Sequence, residues 1–424
     1  MKLESKRWFI LVMGIVANMC QGAAYASSVF AKPLLAHLGL MKMGPAGVMV
    51  PDMVQWALAF SVNLACLPLG MLLSGKIADA VSSRAVVVGG GVLFGLGMLL
   101  TGYAHSLWWV LCFFGVLMGV GSGAAYGAIV STSVRWFPDM RGLAGGLSVG
   151  ALGIGTLVIA PVAQSLMSGA PQGEVPVLWA FKALGTAFIV VIAAISFFMA
   201  PPPAGYKPEG WAPKAGAPAA TAAKDYNWKQ LFGRVEFWAL YAMYACGAFS
   251  GLMVISQASP IAQKMTKLSP EQAVAIVSLI GLANALGRVF WGFVSDRIGR
   301  LNALLAMFVI TGLTMFFLPE LALSRGTLLF GALLVGACFG GYLGIFPSLT
   351  ADYFGVKNLT VNYALLFSAF SVAAIAGPKV AGKIVLSTGS YAQAFIVAGV
   401  VCVAGALLTL VAAWLARRGK AATA

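Results

Sequence analysis

Polar residues in this chain gather in short clusters, and the runs between them stay apolar for about twenty residues at a time. That is the length a helix needs to cross the hydrocarbon core of a bilayer. Twelve such runs stand out, at 8–31, 53–74, 85–104, 107–134, 142–168, 177–200, 236–258, 272–294, 302–321, 327–349, 360–383 and 391–415. The pattern predicts an all-α membrane protein with twelve transmembrane helices.

Between the sixth and seventh runs lies "PPPAGYKPEGWAPKAGAPAATAAK", rich in Pro and Ala, which reads as a flexible linker over 201–235. It separates an N-terminal six-helix half, 1–200, from a C-terminal six-helix half, 236–424. An internal repeat supports the division. "GKIAD" at 75–79 matches "GFVSD" at 292–296, and "RWFPD" at 135–139 matches "DYFGV" at 352–356, both at an offset of 217 residues. Two matching loops at one offset point to parallel repeats and two pseudo-symmetric halves.

Composition rules out a soluble chain. Hydrophobic residues make up 60% and charged residues 9%, against about 25% charged in soluble domains. The 51 glycines suit close contact between helices in lipid. A net charge of +15 would fit nucleic acid, but no basic face with interleaved aromatics exists. The charges instead lie between apolar runs, as the positive-inside rule requires. With both termini in the cytoplasm, inner segments hold 18 Lys and Arg and outer segments 8; without the linker's five the count is 13 to 8. These features predict a multi-pass protein of the cell (inner) membrane. Lys2, Lys6 and Arg7 before an apolar run, with Ala24-Tyr25-Ala26 beyond, resemble a signal peptide. The run is long, however, and the charge count needs it as a helix.

Six cysteines all fall in apolar segments, and His37 and His105 stand far apart in sequence. No metal site or cofactor is expected. No Ser/His/Asp or paired-carboxylate set lies within the runs, so the chain does not read as an enzyme. "GLAGGLSVGALGIGTLVIAP" in the fifth run is a glycine-rich packing face that ends at Pro161.

The turn Gly292…Asp296-Arg297-x-Gly299-Arg300 is the most specific short motif, with a degenerate copy at Gly75…Asp79…Arg84. These two loops resemble the helix 2–3 and helix 8–9 motifs of the major facilitator superfamily. The resemblance implies the major facilitator fold and a gating role for Asp79, Arg84, Asp296, Arg297 and Arg300. A charged turn that only sets topology is the plainer reading. "RWFPDMRGLAGG", "FWGFVSDRIGR" and "IFPSLTADYFG" are similar to the oxalate:formate antiporter branch, a relative of the proton-coupled monocarboxylate transporters.

Of the 27 Lys and Arg, only Arg288 falls inside an apolar run rather than at its edge. An arginine there costs about 2.5–3.5 kcal/mol on insertion scales. It lies eight residues before Asp296, about 12 Å of helix rise, which is deep for snorkelling. No Asp or Glu occupies the core of any run to pair with it. A buried cation without a protein anion invites an external one, and guanidinium holds a carboxylate in two-pronged geometry. The resemblance implies a substrate-binding arginine at this place. Its repeat counterpart is Met71, so the cation has no twin.

Asn284, one turn earlier on the same face, can hydrogen-bond a carboxylate or hydroxyl. Related animal transporters carry an aspartate there, and Asn284 cannot titrate. Tyr25 and Tyr126 match tyrosines of the antiporter's cavity, and Tyr342 lies one residue off that register; each could equally be a packing tyrosine. Phe370 stands where the antiporter has a second cation, a lysine. One cation balances one carboxylate, so the pattern predicts a small monocarboxylate of the lactate or pyruvate kind and argues against oxalate.

The resulting expectation is a secondary transporter working by alternating access, moving a monocarboxylate with a proton, a monomer sufficing. Carboxylate exchange of the oxalate:formate type is the alternative. A membrane receptor for acids is a third reading, but the linker and tail offer no signalling domain.

Overall fold

The computed structural model describes residues 3–43, 49–80, 82–203, 205–211, 225–255, 261, 270–321, 324–388 and 390–421. Twelve helices among them are long and apolar enough to cross a membrane. In chain order they are α1 (Leu3–Gln21), α2 (Met53–Ala80), α3 (Ser83–Thr101), α4 (Met118–Trp136), α5 (Arg141–Ser168), α6 (Pro176–Ser196), α7 (Val235–Ile255), α8 (Pro270–Ile298), α9 (Arg300–Leu321), α10 (Arg325–Phe354), α11 (Leu359–Thr388) and α12 (Ala392–Ala421). Several outlast the apolar runs that predicted them, because a helix stops where its backbone turns. Gly299, between α8 and α9, has φ 91°, and Gly355, after α10, has φ 82°. A side chain rarely adopts that left-handed geometry, and glycine does so at no steric cost.

The chain divides into two compact units: Met1–Trp136 with Ala151–Tyr206, and Phe137–Gly150 with Lys207–Ala424. In the first, α4 packs on α2 and α3, and α6 packs on α3. In the second, α10 packs on α8 and α9, and α12 packs on α9. The register repeats as well as the pairing. Gly119, Gly70 and Gly123 let α2 and α4 touch at Asn63, Val120 and Leu67. Gly336, Gly287 and Gly340 do the same for α8 and α10 at Ile280, Ala337 and Asn284, every partner 217 residues on. A Cβ at any of these glycines would press on the facing backbone, so the sequence can bring these helices together only with glycine. Pro161 within α5 and Pro378 within α11 keep the same offset.

One departure from the repeat lies at the entry to α4. The helix begins as α over Leu107–Val110, widens to a π-helix over Leu111–Leu117, and resumes as α4. A π turn dislocates the hydrogen-bond ladder, which in lipid must be mended by a neighbour. Asn63 of α2, buried, donates its amide to the Phe114 carbonyl at 2.7 Å. In the second unit α10 is helical without a π turn, and Ile280 stands in place of Asn63.

Both described ends of the expected linker are packed down. In the first unit Trp136 donates its indole N–H to Ala200 O at 2.7 Å and meets the Tyr206 ring at 5.0 Å. In the second unit Asn358 and Asn362 both donate to Tyr226 O, at 2.9 and 3.0 Å, and Asp225 accepts from Lys357 N at 3.0 Å.

Asn63→Leu removes the donor from the Phe114 carbonyl while keeping the volume. The expected cost is about 1–3 kcal/mol, read as a lower melting temperature of the purified chain. An unchanged melting temperature would mean that the π turn needs no outside donor.

Candidate functional site

Arg288 and Asn284 lie one helical turn apart on α8, and both are buried, at 6% and 9% exposure. Arg288 donates from Nε to Asn284 Oδ1 at 3.0 Å and from Nη1 to the Val149 carbonyl, on the first stretch of α5, at 2.7 Å. Close backbone contact sets this geometry. A Cβ on Gly344 of α10 or on Gly146 of α5 would run into the Arg288 carbonyl. Glycines on two neighbouring helices thus hold that turn of α8 fast. Both acceptors of the guanidinium are neutral, and among the described residues no carboxylate forms an ion pair with it. The arrangement is a fixed, buried cation that no carboxylate among the described residues balances, and a guanidinium can hold an incoming carboxylate by charge-assisted, two-pronged hydrogen bonds. Asn284 uses its carbonyl oxygen to orient the arginine, and an amide keeps two N–H donors besides.

The other expected contacts divide. Phe370 belongs to an aromatic cluster of the second unit, with ring centroids 5.0 Å from Phe367, 6.2 Å from Phe339 and 6.4 Å from Tyr244. Phe339 closes against Gly251 of α7, so this apolar cluster packs between α7, α10 and α11. Tyr342 is not brought to Arg288. Gly340 and Gly344 face α8, and a residue two places from each points to the opposite side of the helix, about 200° around. There Tyr342 packs on Phe308 at 5.0 Å and closes against Gly247 of α7. Tyr126 and Tyr25 belong to the first unit. Tyr126 is buried on α4, and Tyr25, in the 3₁₀ turn Gly22–Ser27, is 36% exposed with Phe60 edge-on at 6.4 Å. One turn before Tyr126, Ser122 donates to Gln21 Oε1 at 3.0 Å, and Gln21 donates to Asn18 Oδ1 at 3.0 Å. Sequence reasoning passed over this buried polar seam. Its signal was there: Asn18, Gln21 and Tyr25 recur at helical spacing in an apolar run.

The charged turn after α8 is the centre of an ion network. Asp296 accepts from Gly142 N at 2.9 Å and Leu143 N at 2.8 Å, the free N–H groups at the start of α5, where the helix dipole favours an anion. Arg300 pairs with Asp296 at 2.7 Å and with Asp352 at 3.0 Å, and Arg141 pairs with Asp352 at 2.6 Å. Ser348 donates to the Arg141 carbonyl at 2.6 Å. Arg297 takes no part: it is exposed, its guanidinium 4.2 Å from the centroid of the Phe293 ring. Arg84 is exposed, and the side chain of Asp79 lies outside the described residues. Arg141, Asp352 and Ser348 were not singled out from sequence. The hint was a sign reversal in the matched loops, where Asp352 stands opposite Arg135.

A family model described as Major Facilitator Superfamily matches residues 11–318 and 253–424. The chain belongs to this superfamily. It is a multi-pass membrane transporter. Uncharacterized MFS-type transporter YhjX of Escherichia coli (strain K12) is 29% identical over 88% of this chain and 87% of its own length. The oxalate:formate antiporter of Oxalobacter formigenes is 28% identical over 96% and 92%. Monocarboxylate transporter 12 of Xenopus laevis is 25% identical over 80% and 75%. Among solved structures, the E. coli fucose:proton symporter superposes with a TM-score of 0.70 at 13% identity, over 95% of this chain and 97% of that one, a likeness of fold.

Breaking the network from either side should loosen the start of α5. Arg141→Gln and Asp352→Asn are each expected to cost about 1–3 kcal/mol in thermal unfolding of the purified chain. The double variant should cost less than their sum, by about 0.5–3 kcal/mol. Strict additivity would show that the pair is not coupled.

Proposed function

We propose that this transporter carries a small monocarboxylate of the lactate or pyruvate kind across the cell membrane, with both termini in the cytoplasm and one chain sufficing. The observation that carries the reading is Arg288: buried, held in place by glycine contacts and, among the described residues, bonded only to neutral acceptors. A carboxylate would take the guanidinium's charge and accept from the Asn284 amide. Phe370, clustered with Phe339 and Phe367, is assigned as the residue that limits size and offers nothing to a second negative charge. Tyr126 and Tyr25 are assigned as further contacts from the first unit, and Tyr342 is assigned to packing. The names of two relatives, an oxalate:formate antiporter and a monocarboxylate transporter, support a carboxylate substrate. The network of Asp296, Arg300, Asp352 and Arg141 is assigned as a gate that grips the start of α5.

Proton symport is our first reading of the coupling, because a proton with a monoanion makes transport electroneutral. Exchange is favoured by a specific observation. Asn284 cannot titrate, and the arginine has no acidic partner among the described residues to act as proton carrier.

Uptake of radiolabelled L-lactate into proteoliposomes tests both. An inward proton gradient should drive uptake by the native chain. Arg288→Ala should lower it at least about thirtyfold, the effect of removing one partner of a buried charge pair. Uptake only into vesicles preloaded with a second anion would establish exchange. Undiminished uptake by Arg288→Ala would make the arginine structural and end the proposal.

A further inference from the structure

Four of the chain's 18 methionines fall in one short stretch, "MKMGPAGVMVPDM" at 41–53. Part of it forms a hairpin ahead of α2, with strands β1 (Met41–Met43) and β2 (Met49–Pro51). The strands run antiparallel, and Met43 stands directly opposite Met49. Side chains alternate along a strand, so Met41 shares the face of Met43 and Met49. Directly opposed residues hold their Cβ atoms about 4.5–5.5 Å apart, and diagonal ones about 7–8 Å. An unbranched side chain with three rotatable bonds spans those gaps, so the three sulfurs can converge on one point.

This face is open and uncharged. Met43 is 69% exposed and Met49 51%. The other residue on it is Pro51, opposite Met41. Lys42 belongs to the reverse face and pairs with Asp52 at 3.2 Å. Asp52 N also donates to Leu40 O at 2.9 Å, one rung beyond the strands, which fixes the register at the base of the hairpin.

Exposed apolar side chains forfeit the gain of burial, so a cluster of them marks a contact. The span of α2 opens at Met53, two residues past β2, which makes the bilayer one candidate. A lipid contact asks only for apolar volume, however, and at that depth it favours tryptophan and tyrosine. Neither occurs in β1 or β2. Sulfur at all three positions points instead to a ligand for sulfur. A thioether is soft and neutral, and it suits Cu(I). Calcium and magnesium take oxygen ligands, and zinc is held by thiolate, imidazole or carboxylate.

We infer that Met41, Met43 and Met49 bind one Cu(I) ion, which ties β1 to β2 across their open face. Thioethers need no deprotonation, so binding releases no proton. The site rests on nothing in the carboxylate reading.

Silver(I), a redox-inert ion of the same chemical class, is the probe. It is titrated into the full chain in detergent and chloride-free buffer, beyond the amount the six cysteines take up, with the methionine methyl groups isotopically labelled for NMR. Single Met→Leu variants assign the signals. Those of Met41, Met43 and Met49 should move together to one saturation, ahead of Met53, which is exposed on α2 outside the paired strands. Zinc(II) should leave them in place. Met43→Leu keeps the apolar volume and removes one sulfur. It should abolish the joint movement of Met41 and Met49 and leave the melting temperature unchanged. Silver that moves Met53 as readily as the other three would overturn the inference, as would no movement at all, or joint movement surviving in Met43→Leu. In nanodiscs without metal, broadening of the three signals by a paramagnetic lipid would overturn it too, since the face would then belong to the bilayer.

Discussion

The backbone contact between α8 and α10 is the constraint from which the site follows. Gly340 meets the Asn284 carbonyl, and Gly344 meets the Arg288 carbonyl. No side chain fits between the two helices, so Asn284 and Arg288 must project from another face of α8. In water such a contact would be one packing solution among several. In lipid, where apolar side chains gain nothing from leaving their solvent, close approach through small residues is the main source of helix association. The turn bearing the guanidinium is therefore rigid for the reason that the helices associate at all.

The duplicated scaffold shows what was kept and what was changed. The α2–α4 contact and the α8–α10 contact are the same object at an offset of 217 residues, down to the glycine and the carbonyl it touches. The chemistry placed on that object differs. Met71 and Leu67 stand in the first unit where Arg288 and Asn284 stand in the second, and Asn63 stands where the second has Ile280. In the first unit polarity serves the backbone, through the bond to Phe114. In the second it serves a cation. Polar residues inside a membrane helix are costly wherever they sit, and each unit carries them where a defined partner or task exists.

The twelve spans were legible because hydropathy is a one-dimensional signal, and Arg288 was legible because its insertion cost makes it conspicuous. The π turn was not, since nothing in "LCFFGVL" marks a ladder about to slip. Tyr342 shows how narrow the margin is. Two residues along a helix is more than half a turn, and the sequence alone does not say which face of α10 meets α8. The glycines at 340 and 344 carried that information, but only once their partners on α8 were known. The ion network escaped for a different reason. Arg141 and Asp352 lie 211 residues apart, and a charge at the end of an apolar run reads first as a topology signal.

Charge balance links the arginine to the chemistry proposed for it. A guanidinium with neutral acceptors holds one unit of positive charge in a setting where solvent does little to screen it. A monoanion cancels that charge, whereas a dianion would leave one negative charge over. The same reasoning bears on the unloaded state. An aspartate at position 284 could hold the arginine's charge when no substrate is bound, and it could carry a proton in turn. Asn284 can do neither. It steers Nε without neutralising it, so on the proposed reading the site is electrically balanced when it holds a monoanion and unbalanced when empty. Whatever returns through the empty site, anion or proton-bearing acid, meets a cation that no carboxylate among the described residues balances.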